Sequence, residues 1–163
     1  MVFNFSSKFQ FSTQLKINDN TLEEIRDCKL LRLIISNNLS FDKNTQEIVR
    51  KGYTRMIILH KLYEFNLPIS EMVNIYILFI RSILEQSCIV WHSSISQEDS
   101  NSLERVQKTA LRIILGQEYI DYQTALILTG LPTLKQRRAD LCLQFAKRNV
   151  KNGTDYGLFP KNL

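Results

Sequence analysis

The feature of this sequence that most constrains its fold is a change in apolar spacing near Asp42. After this point apolar side chains recur every three or four residues, which places them on one face of an α-helix. Only 5 Gly and 3 Pro occur in the chain, so few positions oppose long helices. The sequence therefore predicts a mainly α fold beyond Asp42.

The segment before this change predicts a small antiparallel β unit. Its first apolar residues alternate in part with polar ones, and they are Phe9, Phe11, Leu15 and Ile17. Residues 18–20 (NDN) predict a turn, after which Leu22 and Ile25 are expected on a returning strand. Residues 30–35 are apolar except for Arg32, and they predict one strand that is buried over most of its length.

Capping residues and breaks divide the remainder into helices. We predict helices over residues 42–65, 70–91, about 100–115, 122–128 and 134–150. Their predicted caps are Asp42 or Asn44, Ser70, Asp99 or Ser100, and Thr133, with Gly116 after the third helix. The second helix is apolar around most of its circumference and is expected to be central.

The expected fold class is thus α+β and mainly α. Residues 1–41 form a β-hairpin or strand unit, residues 42–151 form a bundle of about four to five helices, and residues 152–163 form a loose tail.

Positive charge lies unevenly along the chain, whose formal net charge is +5. Residues 101–163 contain ten Lys or Arg and five Asp or Glu, so the whole excess lies there. Such a segment indicates a polyanion as a partner, although a surplus of this size is also common on solvated helices.

The cysteines and the apolar runs indicate the compartment. Cys28, Cys88 and Cys142 are odd in number and lie in apolar surroundings, which predicts buried free thiols in a reducing, intracellular compartment. The amino terminus lacks the pattern of a secretory signal. The most apolar run, residues 75–80, is too short to span a membrane, so no membrane partner is expected.

The sequence predicts no catalytic or metal site. The adjacent acids Glu23–Glu24 and Glu98–Asp99 are expected on the solvated surface. Cys88 and His92 have the spacing of half a metal site, but they lack a second pair. Neither a phosphate-binding glycine loop nor a nucleophile elbow occurs. A self-contained enzyme is therefore not expected.

A row of basic residues is the main candidate for binding. Arg105, Lys108 and Arg112 share one face of the third predicted helix, opposite the apolar residues Leu103, Val106, Ala110, Ile113 and Ile114. Such a row can follow a phosphate backbone; a solvated face whose stems cover apolar surface is the alternative. Arg137 and Arg138 add to this charge near the start of the last helix, where cations are unfavourable. Their position indicates either an anionic partner or an acid packed nearby.

Several phrases of the sequence follow one another in an order and spacing typical of one family. They are 29–35 (KLLRLII) with 38–41 (NLSF), 80–85 (IRSILE) with Val90–Trp91, 103–108 (LERVQK) with 110–116 (ALRIILG), Tyr119, Tyr122 and Ala125–Leu126, 130–134 (GLPTL) with Arg137–Arg138, and Leu141–Cys142 with Phe145–Ala146. The chain thereby resembles the region after the catalytic core in non-LTR retrotransposon reverse transcriptases of the LINE and jockey-like type. The resemblance covers roughly residues 9–151, and the third pair of phrases is the closest match.

The resemblance implies a primer grip around residues 30–34, followed by a thumb and a post-thumb connection that pack on a template–primer duplex. The candidate nucleic-acid contacts are then Lys29, Leu30, Leu31, Arg32, Arg105, Lys108, Arg112, Arg137 and Arg138. The family usually has glycine where this chain has Arg32. If glycine is needed there for a tight turn or a close approach, Arg32 argues against a working grip.

The resemblance also implies what the fragment lacks. The family's polymerase holds two metal ions with three aspartates, two of them in an aromatic-x-Asp-Asp loop. No such loop occurs in this sequence, and the chain is expected to begin just beyond it. Magnesium and the catalytic residues therefore belong to the palm of the parent RNA-directed DNA polymerase, which is expected together with the fingers as a missing partner.

Three functional hypotheses follow. The first is a truncated, non-catalytic polymerase fragment that contacts an RNA/DNA template–primer duplex without reading its sequence. The second is a protein-interaction or scaffold module that uses apolar surface left where the palm packed. The third is a decayed copy without function.

Overall fold

The computed structural model describes residues 16–18, 20–21 and 25–151 of the chain. Within these residues, two short antiparallel hairpins precede a helical bundle, so the predicted mainly α, α+β fold is confirmed. The strands are β1 (Lys16–Ile17), β2 (Asn20–Thr21), β3 (Asp27–Leu30) and β4 (Leu33–Ser36). The α-helices are α1 (Asp42–Glu64), α2 (Ile69–Ile75), α3 (Ser82–Leu84), α4 (Cys88–Trp91), α5 (Gln97–Leu115), α6 (Tyr122–Thr129) and α7 (Leu134–Lys151). A π-helical turn (Tyr76–Arg81) joins α2 to α3, and a 3₁₀ turn (Gly116–Glu118) follows α5.

The first hairpin has its turn where the sequence predicts it. Ile17 pairs with Asn20, and Asn18 between them has a φ of 47°, the left-handed conformation that Asn tolerates. Ile25 is exposed and lies outside a strand, so its predicted place on the returning strand is wrong. The predicted strand residues Phe9, Phe11, Leu15 and Leu22 and the predicted tail 152–163 lie outside the described residues.

The second hairpin replaces the single strand predicted over residues 30–35. Leu30 pairs with Leu33, so Leu31 and Arg32 form a two-residue turn, and both have positive φ (47° and 69°). This is the geometry of a type I′ turn, which matches the twist of the paired strands. The prediction failed because the turn contains neither Asn nor Gly, the residues that normally mark it.

The hairpin lies on the start of α1. Asn44, a predicted cap of α1, instead accepts a hydrogen bond from the Ile34 amide through Oδ1 at 3.2 Å. Lys43 forms an ion pair with Asp27, whose other carboxylate oxygen accepts from the Ser36 hydroxyl at 2.7 Å. These bonds attach both strands to the helical bundle.

The helices that follow strong capping residues match their predictions closely. Asp121 accepts hydrogen bonds from the first amides of α6, and the Thr133 hydroxyl accepts from Gln136 N at 3.2 Å at the start of α7. Gly116 ends α5 with a φ of 51°, and a Cβ there would overlap the Tyr63 hydroxyl. Ser96, rather than Asp99 or Ser100, caps α5.

The second predicted helix is interrupted and is not central. Ser87 has a φ of 53° and separates α3 from α4. Leu78 and Phe79, in the π-helical turn, are largely exposed. The prediction of a central helix was wrong because apolar residues on this segment also face solvent.

The central element is α5, which packs against α1, α2, α6 and α7. Gly52 of α1 lies so close to it that a Cβ would come within 2.9 Å of Val106. The buried face of α5 contains Leu103, Val106, Ala110, Leu111, Ile114 and Leu115. In the part of the chain that the structure describes, no helix has the length and hydropathy needed to cross a bilayer.

Candidate nucleic-acid interface

The candidate interface is the face of α5 that points away from the bundle. Arg105, Lys108 and Arg112 share this face, as their spacing predicts. Arg105 and Arg112 are exposed there, and Lys108 is half-buried. The two arginines are seven positions apart, so the row extends about 10 Å along the helix axis. A row of cations along a helix can follow a phosphate backbone.

Local contacts orient both arginines of this row. Arg105 Nη2 donates to the Ser102 hydroxyl at 3.0 Å. The Arg112 guanidinium lies 5.3 Å from the centre of the Tyr119 ring, a cation–π contact. Within residues 25–151, no carboxylate lies within 4.0 Å of the charged groups of Arg105, Lys108 or Arg112. The row thus contains two oriented arginines and Lys108, and none of the three has an acidic partner in the described structure.

Glu104, the neighbouring acid on α5, points away from this row. Its carboxylate accepts hydrogen bonds from the first amides of α7, Leu134 N at 3.1 Å and Lys135 N at 3.3 Å. The Tyr122 hydroxyl donates to the same carboxylate. Glu104 therefore stabilises the positive end of the α7 dipole instead of pairing with the basic row.

Gln107 joins the same contact from one turn further along α5. Its Oε1 accepts from the Tyr76 hydroxyl at 2.7 Å. Its Nε2 donates to the Tyr122 hydroxyl at 3.0 Å and to the Pro132 carbonyl at 2.9 Å. Burial raises the pKa of both tyrosines, and the hydrogen bond to Glu104 raises the pKa of Tyr122 further. We call Tyr76, Glu104, Gln107 and Tyr122 the polar core.

The sequence contained a signal for the polar core that our interpretation missed. Gln107 lies within the apolar stripe of α5, four residues after Leu103 and three before Ala110. A buried amide in such a stripe requires hydrogen-bond partners from other elements. Which elements supply them depends on the tertiary fold and could not be predicted from spacing.

Arg137 does not extend the basic row as a free cation. Its Nε lies 3.2 Å from Glu85 Oε1, and Arg81 lies 3.3 Å from the same oxygen. Glu85 is nearly buried between these two arginines. The acid packed near Arg137, one of the two alternatives raised by the sequence, is therefore present.

Arg138 is fully buried, and its predicted place in a surface basic patch is wrong. Its Nη2 donates to the Ser100 hydroxyl at 2.9 Å, and its Nε donates to His92 Nδ1 at 3.4 Å. The guanidinium lies 5.7 Å from the centre of the Trp91 ring. Burial lowers the pKa of Arg138. The side chain joins α4, α5 and α7, which a count of surface charges along the sequence cannot reveal.

The hairpin tip contains the remaining predicted contacts. Lys29, Leu30, Leu31 and Arg32 are all exposed, Leu31 most strongly at 88%. The tip belongs to a hairpin held on α1, whereas the basic row lies on α5. The predicted contacts thus occupy two separate elements.

The described residues contain no group of three His, Cys, Asp or Glu side chains placed to hold a metal ion. The sequence suggested Cys88 and His92 as half of a metal site. Cys142 lies near this pair, with its Sγ 4.0 Å from the Cys88 carbonyl oxygen. Among the acids, Asp99 has its pKa raised by burial and by the nearby Asp42 carboxylate.

Comparison of the chain with protein-family models, with curated proteins and with solved structures finds no match.

Proposed function

We propose that this chain is a non-catalytic fragment of a non-LTR retrotransposon reverse transcriptase that contacts a template–primer duplex through the basic row of α5. The observation that carries the proposal is the arrangement of Arg105, Lys108 and Arg112. They share the outer face of α5, where both arginines are exposed and Lys108 is half-buried, and no carboxylate pairs with them among the described residues.

The chemistry of the row favours phosphate contact over base readout. Three cations on one convex helix face can each displace a counterion from a nucleic-acid backbone. The contacts to Ser102 and Tyr119 reduce the conformational freedom that the two arginines would lose on binding. Contacts of this kind position a duplex without selecting a sequence.

Contacts between the resembling phrases support the assignment to the thumb region. Arg81 and Glu85 of the second pair meet Arg137, and Glu104 of the third pair meets Leu134. The phrases therefore pack together as one helical unit. In this proposal the palm and fingers of the parent polymerase bind magnesium and nucleotides, and they lie outside this chain.

The hairpin tip is a second proposed contact. Lys29 and Arg32 are exposed there, and Arg32 occupies the turn position that favours glycine. A flexible cation at the tip can reach a backbone phosphate, but it replaces the close approach that glycine would allow.

The proposal is tested by equilibrium binding of a fluorescently labelled RNA–DNA hybrid at low salt, followed by anisotropy. Simultaneous Arg105→Glu, Lys108→Glu and Arg112→Glu should abolish binding, because three attractive contacts become repulsive. The matched control reverses the exposed cations Lys61, Lys147 and Arg148, which gives the same change in net charge.

The control variant should keep most of the affinity if α5 is the interface. Two hybrids of unrelated sequence should bind with equal affinity. Equal losses in the two variants would show that total charge, rather than the α5 face, causes the binding, and absence of binding by the wild-type chain would refute the proposal.

A protein-interaction module is the second candidate, and one observation favours it. Leu78 is 66% exposed, and Phe79, Ile89 and Val90 of the same interrupted helical segment are also exposed. Exposed apolar side chains in sequence-adjacent elements are common at protein interfaces. Sedimentation of the wild type and of a Leu78→Ser, Phe79→Ser variant tests this candidate. The wild type should associate, and the variant should not. The α5 charge reversals should leave the association intact.

A further inference from the structure

Two cysteines that are far apart in the sequence lie at one contact between helices. Cys88 begins α4 and is buried, whereas Cys142 lies within α7 and is half-buried. The Cys142 Sγ is 4.0 Å from the Cys88 carbonyl oxygen, and a charge on Cys142 would affect the ionisation of Cys88. The two thiols are therefore close neighbours in the fold.

The adjacent contacts fix these two helix segments against each other. Arg138 precedes Cys142 by one helical turn, and its guanidinium stacks on Trp91 and donates to His92. Trp91 and His92 follow Cys88 by three and four residues. The same faces of α4 and α7 thus meet over more than one turn, which limits how far the cysteines can separate.

We propose that Cys88 and Cys142 form an intramolecular disulfide on oxidation by a peroxide, which makes this contact a covalent modification site. The Cys142 sulfur attacks hydrogen peroxide, the O–O bond breaks, and a sulfenic acid and water form. The Cys88 sulfur then attacks the Cys142 sulfur, the S–O bond breaks, and the departing hydroxide leaves as water with the Cys88 proton. Two thiols and one peroxide thus give one disulfide and two water molecules.

Exposure determines the order of these steps. Cys88 is inaccessible, and burial raises its pKa to about 11, so its reactive thiolate is scarce near neutral pH. Cys142 is partly accessible to a small oxidant. The second step is intramolecular, and the proximity of the two groups compensates for the low thiolate fraction of Cys88.

The disulfide would attach α7 covalently to α4. Beyond Cys142 the described side chains of α7 are exposed, from Leu143 to Asn149, so this half of the helix has little packing of its own. A cross-link between residues separated by 54 positions also restricts the unfolded chain. Oxidation should therefore raise the denaturation midpoint of the full chain.

The test treats the reduced full chain with stoichiometric hydrogen peroxide, blocks remaining thiols with N-ethylmaleimide, and maps the tryptic peptides without reduction. The expected product is about 2 Da lighter than the reduced chain before blocking, as loss of two hydrogens requires. It carries a Cys88–Cys142 link and a single maleimide at Cys28.

Cys28→Ser is the matched control, because Cys28 is half-buried on β3 and outside this contact. It should keep both the link and the rise in denaturation midpoint, whereas Cys142→Ser should lose both. In Cys88→Ser, Cys142 should proceed to sulfenic and sulfinic acids, which add oxygen mass. Recovery of all three cysteines with maleimide, or a link that involves Cys28 instead, would overturn the proposal.

Discussion

Arg32 illustrates how a single residue can oppose the backbone conformation that its position requires. It occupies the second place of the turn between β3 and β4 with a φ of 69°, a conformation that costs an L-residue about 1–2 kcal/mol. Arg32→Gly should relieve this cost. Part of the gain is offset because glycine makes the unfolded chain more flexible, and the net stabilisation of the hairpin should be about 0.5–1 kcal/mol. Slower amide hydrogen exchange in β3 and β4 would report the gain. Arg32→Ala keeps the strain and should give no gain, so equal effects of the two substitutions would contradict this account.

Glu104 is the residue on which the joint between α5 and α7 depends most. Glu104→Ala removes the acceptor for Leu134 N, Lys135 N and the Tyr122 hydroxyl. The expected loss in the free energy of unfolding is about 1–3 kcal/mol, since hydrogen bonds to a charged group are lost in partly buried surroundings. Urea denaturation measures it. Glu98→Ala removes an exposed acid from the first turn of the same helix and should cost less than about 1 kcal/mol. A loss as large as that of Glu104→Ala would disprove the special role.

His92 should make the stability depend on pH. Burial and the charges of Arg138 and Lys135 lower its pKa from the ordinary 6.5. At pH values between 6.5 and the lower pKa of folded His92, the unfolded chain binds more protons than the folded chain. The contribution of His92 to stability is therefore complete above pH 6.5 and declines as the pH falls below 6.5. Urea denaturation at about pH 7.5 and about pH 5.5 detects the decline. His92→Gln should reduce this decline in stability, and an unchanged decline in that variant would exclude His92 as its cause.

At the scale of elements, the π-helical turn depends on a side chain from another helix. A π-helical turn winds more widely than an α-helix, which changes the hydrogen-bond partners of its backbone carbonyls. Arg55 of α1 donates to one of these carbonyls, that of Phe79, at 2.6 Å. Arg55→Met should therefore destabilise the turn by about 0.5–1.5 kcal/mol. Hydrogen exchange should become faster within Tyr76–Arg81. Lys61→Met, on the exposed surface of α1, should leave this exchange unchanged.

Elements could be predicted where a local residue determines them. Thr133 caps α7 as predicted, and Asp121, which was not predicted as a cap, caps α6 at the predicted start of that helix. A cap acts on amides only two or three residues away, so the sequence near the helix start determines it. The turn at Leu31 and Arg32 and the break at Ser87 could not be predicted, since their residues do not favour positive φ. There the tertiary packing overrides the local preference.

The same distinction holds for the candidate site. The face shared by Arg105, Lys108 and Arg112 follows from helical spacing alone, and the structure places these side chains as predicted. The burial of Arg138 depends on partners 38 and 46 residues away, Ser100 and His92. No pattern within α7 distinguishes it from its neighbour Arg137.

At the scale of the whole molecule, the packed side of α5 and its basic side have separate roles. The polar core and the apolar face attach this helix to α1, α2, α6 and α7. The opposite face keeps its cations apart from acids within the described residues. A packed helix whose outer face carries cations suits a duplex contact, and these charges should be removable by substitution without loss of the fold.

The most direct test of the proposed duplex contact is the salt dependence of hybrid binding, measured by fluorescence anisotropy for the wild-type chain and for Lys108→Met. Three phosphate contacts predict that the logarithm of the binding constant falls with the logarithm of salt concentration with a slope of about −3. Lys108→Met should reduce the magnitude of this slope by about 1. A slope near zero, or one that Lys108→Met leaves unchanged, would contradict a duplex contact through α5.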